Sequence, residues 1–230
     1  NRSSKRNGCR KMIAKEELNI LWSLEQTAEK YEDRVAVSDV NQEMTWKGLV
    51  KKAQVIGAEL SKKVQPGNPI PVLLEKSSET LAVMLGIVYA GCFYVPVNPM
   101  NPAERLRKIM EKLEPEVIIS DEKGKEQLAV VGVGLEEKVI GPETLLPTTG
   151  TDLSEEQRSK LEQIQGQWKE TDALYGIFTS GSTGTPKAIV VSHGAVSRFI
   201  RHFTEIFEIT SEDVIGNQAP FDFDVSVKDI

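Results

Sequence analysis

Residues 80–103 carry no charged side chain, and residues 81–97 are almost wholly apolar. A membrane-spanning helix would need about 20 uninterrupted apolar residues. Here Gly91 breaks the run, Pro96 and Pro99 follow, and Phe93-Tyr94-Val95 favours extended backbone. The run is therefore read as a buried helix of about three turns passing directly into a buried strand over residues 93–97, with no membrane span.

The flanking sequence repeats this alternation. Residues 16–31 have helical spacing, with Leu18, Leu21, Trp22, Leu24 and Ala28 on one side. Val35-Ala36-Val37 is a short strand. Thr45 is placed to cap a helix through Leu49, Ala53, Ile56 and Leu60. Residues 65–69 (Gln-Pro-Gly-Asn-Pro) form a turn before a strand over 70–74, and Ser77 or Ser78 caps the apolar helix. Pro102 suits the first turn of a helix over 104–113, and Val117-Ile118-Ile119 is another strand. Strand, helix, strand, helix, strand predicts an α/β fold, with layered, largely parallel sheets flanked by helices. Residues 121–170 are broken by glycines and prolines and read as surface connection, with a polar helix over 154–165. Residues 174–178 and 189–191 are expected to pair as strands, before an amphipathic helix over 195–207.

Composition excludes several classes. Of 230 residues, 40% are apolar and 27% charged, which suits neither a disordered chain nor a collagen-like or disulfide scaffold. With 28 Lys and Arg against 34 Asp and Glu, the net charge of −6 argues against a nucleic-acid-binding protein. Residues 1–15 hold Arg2, Lys5, Arg6, Arg10, Lys11 and Lys15 and no acid, leaving 22 basic against 34 acidic residues elsewhere. This basic leader is expected to be a disordered or cloning-derived tail, and residues 16–230 to be the folded part. Cys9 and Cys92 lack CxxC spacing and there are two histidines, so neither a zinc site nor a disulfide framework is expected. Cys92 reads as a buried apolar residue, and a reducing, cytoplasmic setting fits.

Chemistry concentrates at Thr179-Ser180-Gly181-Ser182-Thr183-Gly184-Thr185-Pro186-Lys187. Nine residues hold five hydroxyls, two glycines and a lysine, between two apolar strands. Glycines let backbone N–H groups approach an anion, hydroxyls add donors, and lysine adds a mobile positive charge. That combination suits a polyphosphate. The spelling excludes a Walker loop, because Thr185 and Pro186 separate Gly184 from Lys187. Neither Gly-x-Gly-x-x-Gly nor Gly-x-Ser-x-Gly is present, which removes a dinucleotide fingerprint and a hydrolase elbow. His193, following Ser192, reads as a helix-entry residue.

This loop resembles the phosphate-binding signature of the adenylate-forming superfamily, with Ala188 in place of the usual final glycine. The segment Leu85-Gly86-Ile87-Val88-Tyr89-Ala90-Gly91-Cys92-Phe93-Tyr94-Val95-Pro96-Val97-Asn98-Pro99, running into Pro102-Ala103-Glu104-Arg105-Leu106, resembles a second block of that family. There Asn98 replaces the commoner aspartate, and Cys92 and Phe93 replace smaller residues. Phe221-Asp222-Phe223-Asp224-Val225-Ser226-Val227 is similar to the Phe-Asp-x-Ser block of amino-acid-activating members, both peptide-synthetase adenylation domains and D-alanine–carrier protein ligases.

The resemblance implies two half-reactions. A carboxylate attacks the α-phosphorus of Mg2+-bound ATP to give an acyl-adenylate and pyrophosphate, and the acyl group then passes to a carrier protein's phosphopantetheine thiol. Thr179, Ser180, Gly181, Ser182, Thr183 and Gly184 are expected to hold the β- and γ-phosphates, with Lys187 balancing their charge or holding the loop. Asp224 matches the family position that pairs with the substrate's α-ammonium in a partly dry pocket, selecting a small amino acid over fatty or aryl acids. Its competing reading is a helix N-cap, and Asp222 is expected to be a cap or exposed. No protein nucleophile is implied, and no catalytic residue or protein metal ligand is assigned within the chain. The resemblance further implies that the chain is the N-terminal part of the large adenylation domain, with later catalytic elements beyond Ile230, and inactive alone. The alternatives are a non-catalytic nucleotide-binding or scaffolding piece, and an acyl- or aryl-CoA ligase.

Overall fold

The computed structural model describes residues 16–132, 134–146, 152–179 and 186–230. After a 3-10 turn (Glu16–Leu18) comes α1 (Ile20–Lys30). The helix expected from residue 16 is interrupted because the Asn19 side chain accepts the Leu21 N–H at 2.9 Å, making Asn19 the cap. A small antiparallel hairpin, β1 (Val35–Ser38) and β2 (Glu43–Thr45), leads into α2 (Trp46–Leu60), capped by Thr45 as expected. Then follow β3 (Pro69–Leu73), α3 (Ser78–Tyr89) capped by Ser77, β4 (Phe93–Pro96), α4 (Ala103–Leu113) and β5 (Ile118–Ser120). Pro102 sits at the N-cap position of α4, one residue before the expected first turn.

The stretch read as surface connection contains more structure than expected. It holds α5 (Glu122–Val131), β6 (Val139–Ile140) and α6 (Glu155–Gly166). The polar helix α6 starts where expected, on a capping box between Ser154 and Gln157. Last come β7 (Ala173–Thr179), β8 (Lys187–Ser192), α7 (His193–Ile206) and a 3-10 helix (Asp224–Asp229).

The main sheet has the order β6-β5-β3-β4-β7-β8, parallel throughout except for β8, which pairs antiparallel with β7. Successive strand residues point to opposite faces. Val72, Tyr94 and Ile119 pack on one face with α1, α2, α3, α6 and α7, while Leu73, Val95 and Ile118 pack on the other with α4 and α5. The apolar run is thus enclosed: α3 is buried from Ala82 to Tyr89, and Gly91 makes the left-handed turn (φ 77°) that sends helix into strand. Cys92 is 2% exposed, and burial pushes its thiol up to about 11, so it behaves as an inert core residue. Among the described residues no helix is long and apolar enough to cross a membrane.

His193 is the first residue of α7, directly after its cap Ser192, and is 2% exposed. Its Nδ1 accepts the Ile20 N–H at 3.4 Å and its ring meets Trp168 edge-on, so the folded protein holds it neutral. Burial lowers its pKa from 6.5 to about 4, against a smaller opposing effect of Asp172. The unfolded chain therefore binds the extra proton between these values, and stability falls as pH drops through that window. We expect a loss of about 2 kcal/mol between pH 7 and pH 5 from this group alone. Urea unfolding at the two pH values, compared with His193→Gln, measures it; an equal loss in the variant would remove His193 as the cause.

Candidate active site

Connections leaving β3 and β4 run to opposite sides. The chain from β3 crosses through α3 to β4, whereas the chain from β4 crosses back through α4, on the other face, to β5. A crevice opens outside the carboxyl ends of strands at such a switch point, where ligands bind in open α/β sheets. Here it is a cleft of about 180 Å³ whose lining includes Val72, Met84, Lys76, Pro96, Asn98 and Asp222.

The first wall of the cleft is firmly built. The Ser77 hydroxyl accepts the Thr80 N–H at 3.1 Å and the Thr80 hydroxyl donates to the Glu75 carbonyl at 2.6 Å. From the β1–β2 turn, Asp39 accepts both the N–H and the hydroxyl of Ser78, at 2.8 and 2.7 Å. These bonds, with those from the Asn41 and Gln42 N–H groups, hold the Asp39 carboxyl well below the usual carboxylate range.

At the same end of the sheet, β7 and β8 form the two sides of a hairpin in which Thr179 lies directly opposite Lys187. Both side chains are exposed at its mouth. Ser180, Gly181, Ser182, Thr183 and Gly184 lie outside the described residues. Two cations of α4 brace the hairpin base: Arg105 donates from Nη2 to the Phe178 carbonyl at 3.3 Å, and Lys112 donates from Nζ to the Pro186 carbonyl at 3.5 Å. Sequence reasoning gave neither residue a role. The signal was present in the Pro102–Leu106 block, which put Arg105 one turn into a helix that starts beside the β4 end.

The third component is the 217–226 segment, which carries the two aspartates. Asp224 is the first residue of its 3-10 helix and is exposed. It is not the N-cap: Phe223 occupies that position, with no side-chain cap bond, so the competing cap reading is not observed. Among the described residues Asp224 is not enclosed. Its charge is nevertheless felt by Tyr175 of β7, whose phenol is pushed up first by burial and then by Asp224. Tyr175 is itself 7% exposed and stacks on Tyr94 at 5.9 Å.

Asp222 is a correction to the sequence reading. It neither caps a helix nor lies exposed; it is half-buried in the cleft lining. Burial raises its pKa, opposed by a hydrogen bond from its own backbone and by the Arg105 guanidinium. Among the described residues no group of three or more His, Cys, Asp or Glu is placed to hold a metal ion.

Among the described residues the arrangement combines a hairpin mouth at Thr179 and Lys187, flanking cations and carboxylates at the carboxyl end of a largely parallel sheet. Residues 24–230 match the model of the AMP-binding enzyme family, and the chain belongs to that family. It is 31% identical over 204 residues to tyrocidine synthase 1 of Brevibacillus parabrevis and 29% identical over 208 residues to bacitracin synthase 1 of Bacillus licheniformis. In each case the match covers 88% of this chain, but 18% and 4% respectively of those much longer relatives. Among solved structures, the AMPPNP-bound nonribosomal peptide synthetase FmoA3 matches with a TM-score of 0.75 at 24% identity, over 92% of this chain and 21% of that one. VinN in complex with L-aspartate matches with a TM-score of 0.75 at 22% identity, over 93% of this chain and 57% of that one. At these identities the structural matches establish the α/β fold.

Proposed function

We propose that this chain is the N-terminal part of an amino-acid adenylating ligase, and that residues 16–230 form one portion of its large domain. The observation that carries the reading is that the Thr179/Lys187 hairpin mouth and the Pro220–Asp222 segment leading into Asp224 lie at the carboxyl end of one largely parallel sheet. Support also comes from the tyrocidine and bacitracin synthases among the relatives and from the L-aspartate complex of VinN.

In this reading Thr179, Ser180, Gly181, Ser182, Thr183 and Gly184 hold the β- and γ-phosphates of ATP, and Lys187 neutralises them. Mg2+ travels with the triphosphate. Asp224 pairs with the α-ammonium of a small amino acid. The substrate carboxylate oxygen bonds to the α-phosphorus while the bond from that phosphorus to the bridging oxygen breaks, releasing pyrophosphate. A phosphopantetheine thiolate then attacks the acyl carbon and AMP leaves. The protein contributes alignment and charge neutralisation and forms no covalent bond itself. The free, buried Cys92 fits a reducing cytoplasmic setting.

The protein at its full natural length, incubated with MgATP, mixed amino acids and a carrier protein bearing phosphopantetheine, is expected to add one aminoacyl mass to the carrier. The same carrier without the phosphopantetheine arm should stay unmodified. A loaded fatty or aryl acid in place of an amino acid would contradict the assigned substrate.

A further inference from the structure

The segment bearing Asp224 is held against the sheet by a polar latch that the family resemblance did not point to. Lys76, on the loop between β3 and α3, donates from Nζ to the Asn217 carbonyl at 2.5 Å, to Asn217 Oδ1 at 2.8 Å and to the Ala219 carbonyl at 3.1 Å. An ammonium offers only donors, so it fixes the oxygen of the Asn217 amide toward itself. The amide nitrogen must then face the other way, and Asn217 Nδ2 donates to the Ser226 carbonyl at 3.1 Å. Ser226 is 1% exposed, and its hydroxyl donates to the Phe223 carbonyl at 2.7 Å, immediately before Asp224. The chain of bonds runs from the rigid α3 entry to the turn that presents the carboxylate. Phe221 and Val227 add apolar contacts with the core on either side.

We propose that Lys76 is a positioning residue for recognition of the substrate's amino group, acting through Asn217 and Ser226 on Asp224. This rests on the amino-acid reading above. In this role Lys76, although it lines the cleft, acts through its bonds to Asn217 and Ala219, which set the direction of the carboxylate.

The test compares Lys76→Met, which keeps the stem and removes the donors, with Lys76→Arg, which keeps donors, in the protein at its full natural length. ATP–pyrophosphate exchange should show an amino-acid KM raised about tenfold in Lys76→Met, as for a lost charge-assisted bond. The kcat and the KM for ATP should stay within about twofold, and Lys76→Arg should recover most of the loss. In parallel, hydrogen exchange of the Phe223 and Ser226 amides should quicken in Lys76→Met and return in Lys76→Arg. An unchanged amino-acid KM, or equal changes in all three kinetic constants, overturns the positioning role. Unchanged amide exchange overturns the latch itself. If the unaltered protein activates no amino acid, the recognition role falls with the proposed function, while amide exchange still reports whether Lys76 holds the segment.

Discussion

Replacing Asp224 with Asn is expected to lower kcat/KM for the amino acid about 100-fold, because an ammonium left without its carboxylate costs about 3 kcal/mol. The loss should fall on the amino-acid KM, with the KM for ATP changing by less than about twofold. Fold stability should move by less than about 0.5 kcal/mol, since Asp224 is exposed and caps nothing. That pairing of effects separates the proposed role from a helix cap, whose loss would instead cost about 1 kcal/mol of stability. Michaelis parameters and a urea unfolding curve on the same variant decide between them. A variant with normal amino-acid KM would remove Asp224 from the site.

The second large effect concerns the crossing of α2 and α3. A Cβ placed on Gly86 would lie 2.4 Å from Cγ2 and 2.6 Å from Cβ of Ile56, a side chain 1% exposed with nowhere to turn. The reciprocal glycine, Gly57, would bring a Cβ to 2.5 Å from Cβ of Tyr89. The helices touch through these two missing side chains. Helix propensity alone favours Gly86→Ala by about 1 kcal/mol. The contact reverses that sign, and Gly86→Val should cost about 4 kcal/mol, at the upper end of overpacking losses. Chemical denaturation of both variants tests the crossing; a stabilised Gly86→Ala would show that the helices have room between them.

Legibility from sequence followed the range of the forces involved. The uncharged run forecast α3 and β4 because apolar continuity needs no knowledge of the partner. Thr45 and Ser77 announced helices through local capping bonds. By contrast α5 was hidden, since its buried residues are only Gly124, Leu128 and Val131. Its place depends on the close approach of Gly124 to Ser120, where a Cβ would sit 2.1 Å from the hydroxyl oxygen. Asp121, which accepts the Gly124 N–H at 2.8 Å, was the local signal available.

The candidate site divided in the same way. The pairing of the strands that flank the Thr179–Lys187 loop was legible because the two sides of a hairpin are near in sequence, while the opposition of Thr179 and Lys187 came from the structure. Asp222 was misread because its burial is created by a cleft lining that includes Val72, Met84, Pro96 and Asn98, more than a hundred residues earlier in the chain. Lys76 had no motif at all; its bonds are to the Asn217 carbonyl, Asn217 Oδ1 and the Ala219 carbonyl, far away in sequence.

The most direct test is ATP–pyrophosphate exchange by the protein at its full natural length, using small amino acids and their des-amino counterparts as matched pairs. Exchange is expected with at least one small amino acid, and about 1% of that kcat/KM, or less, with the same acid lacking its ammonium. Equal exchange with both members of the pair, or exchange with fatty or aryl acids and no amino acid, would contradict the amino-acid reading.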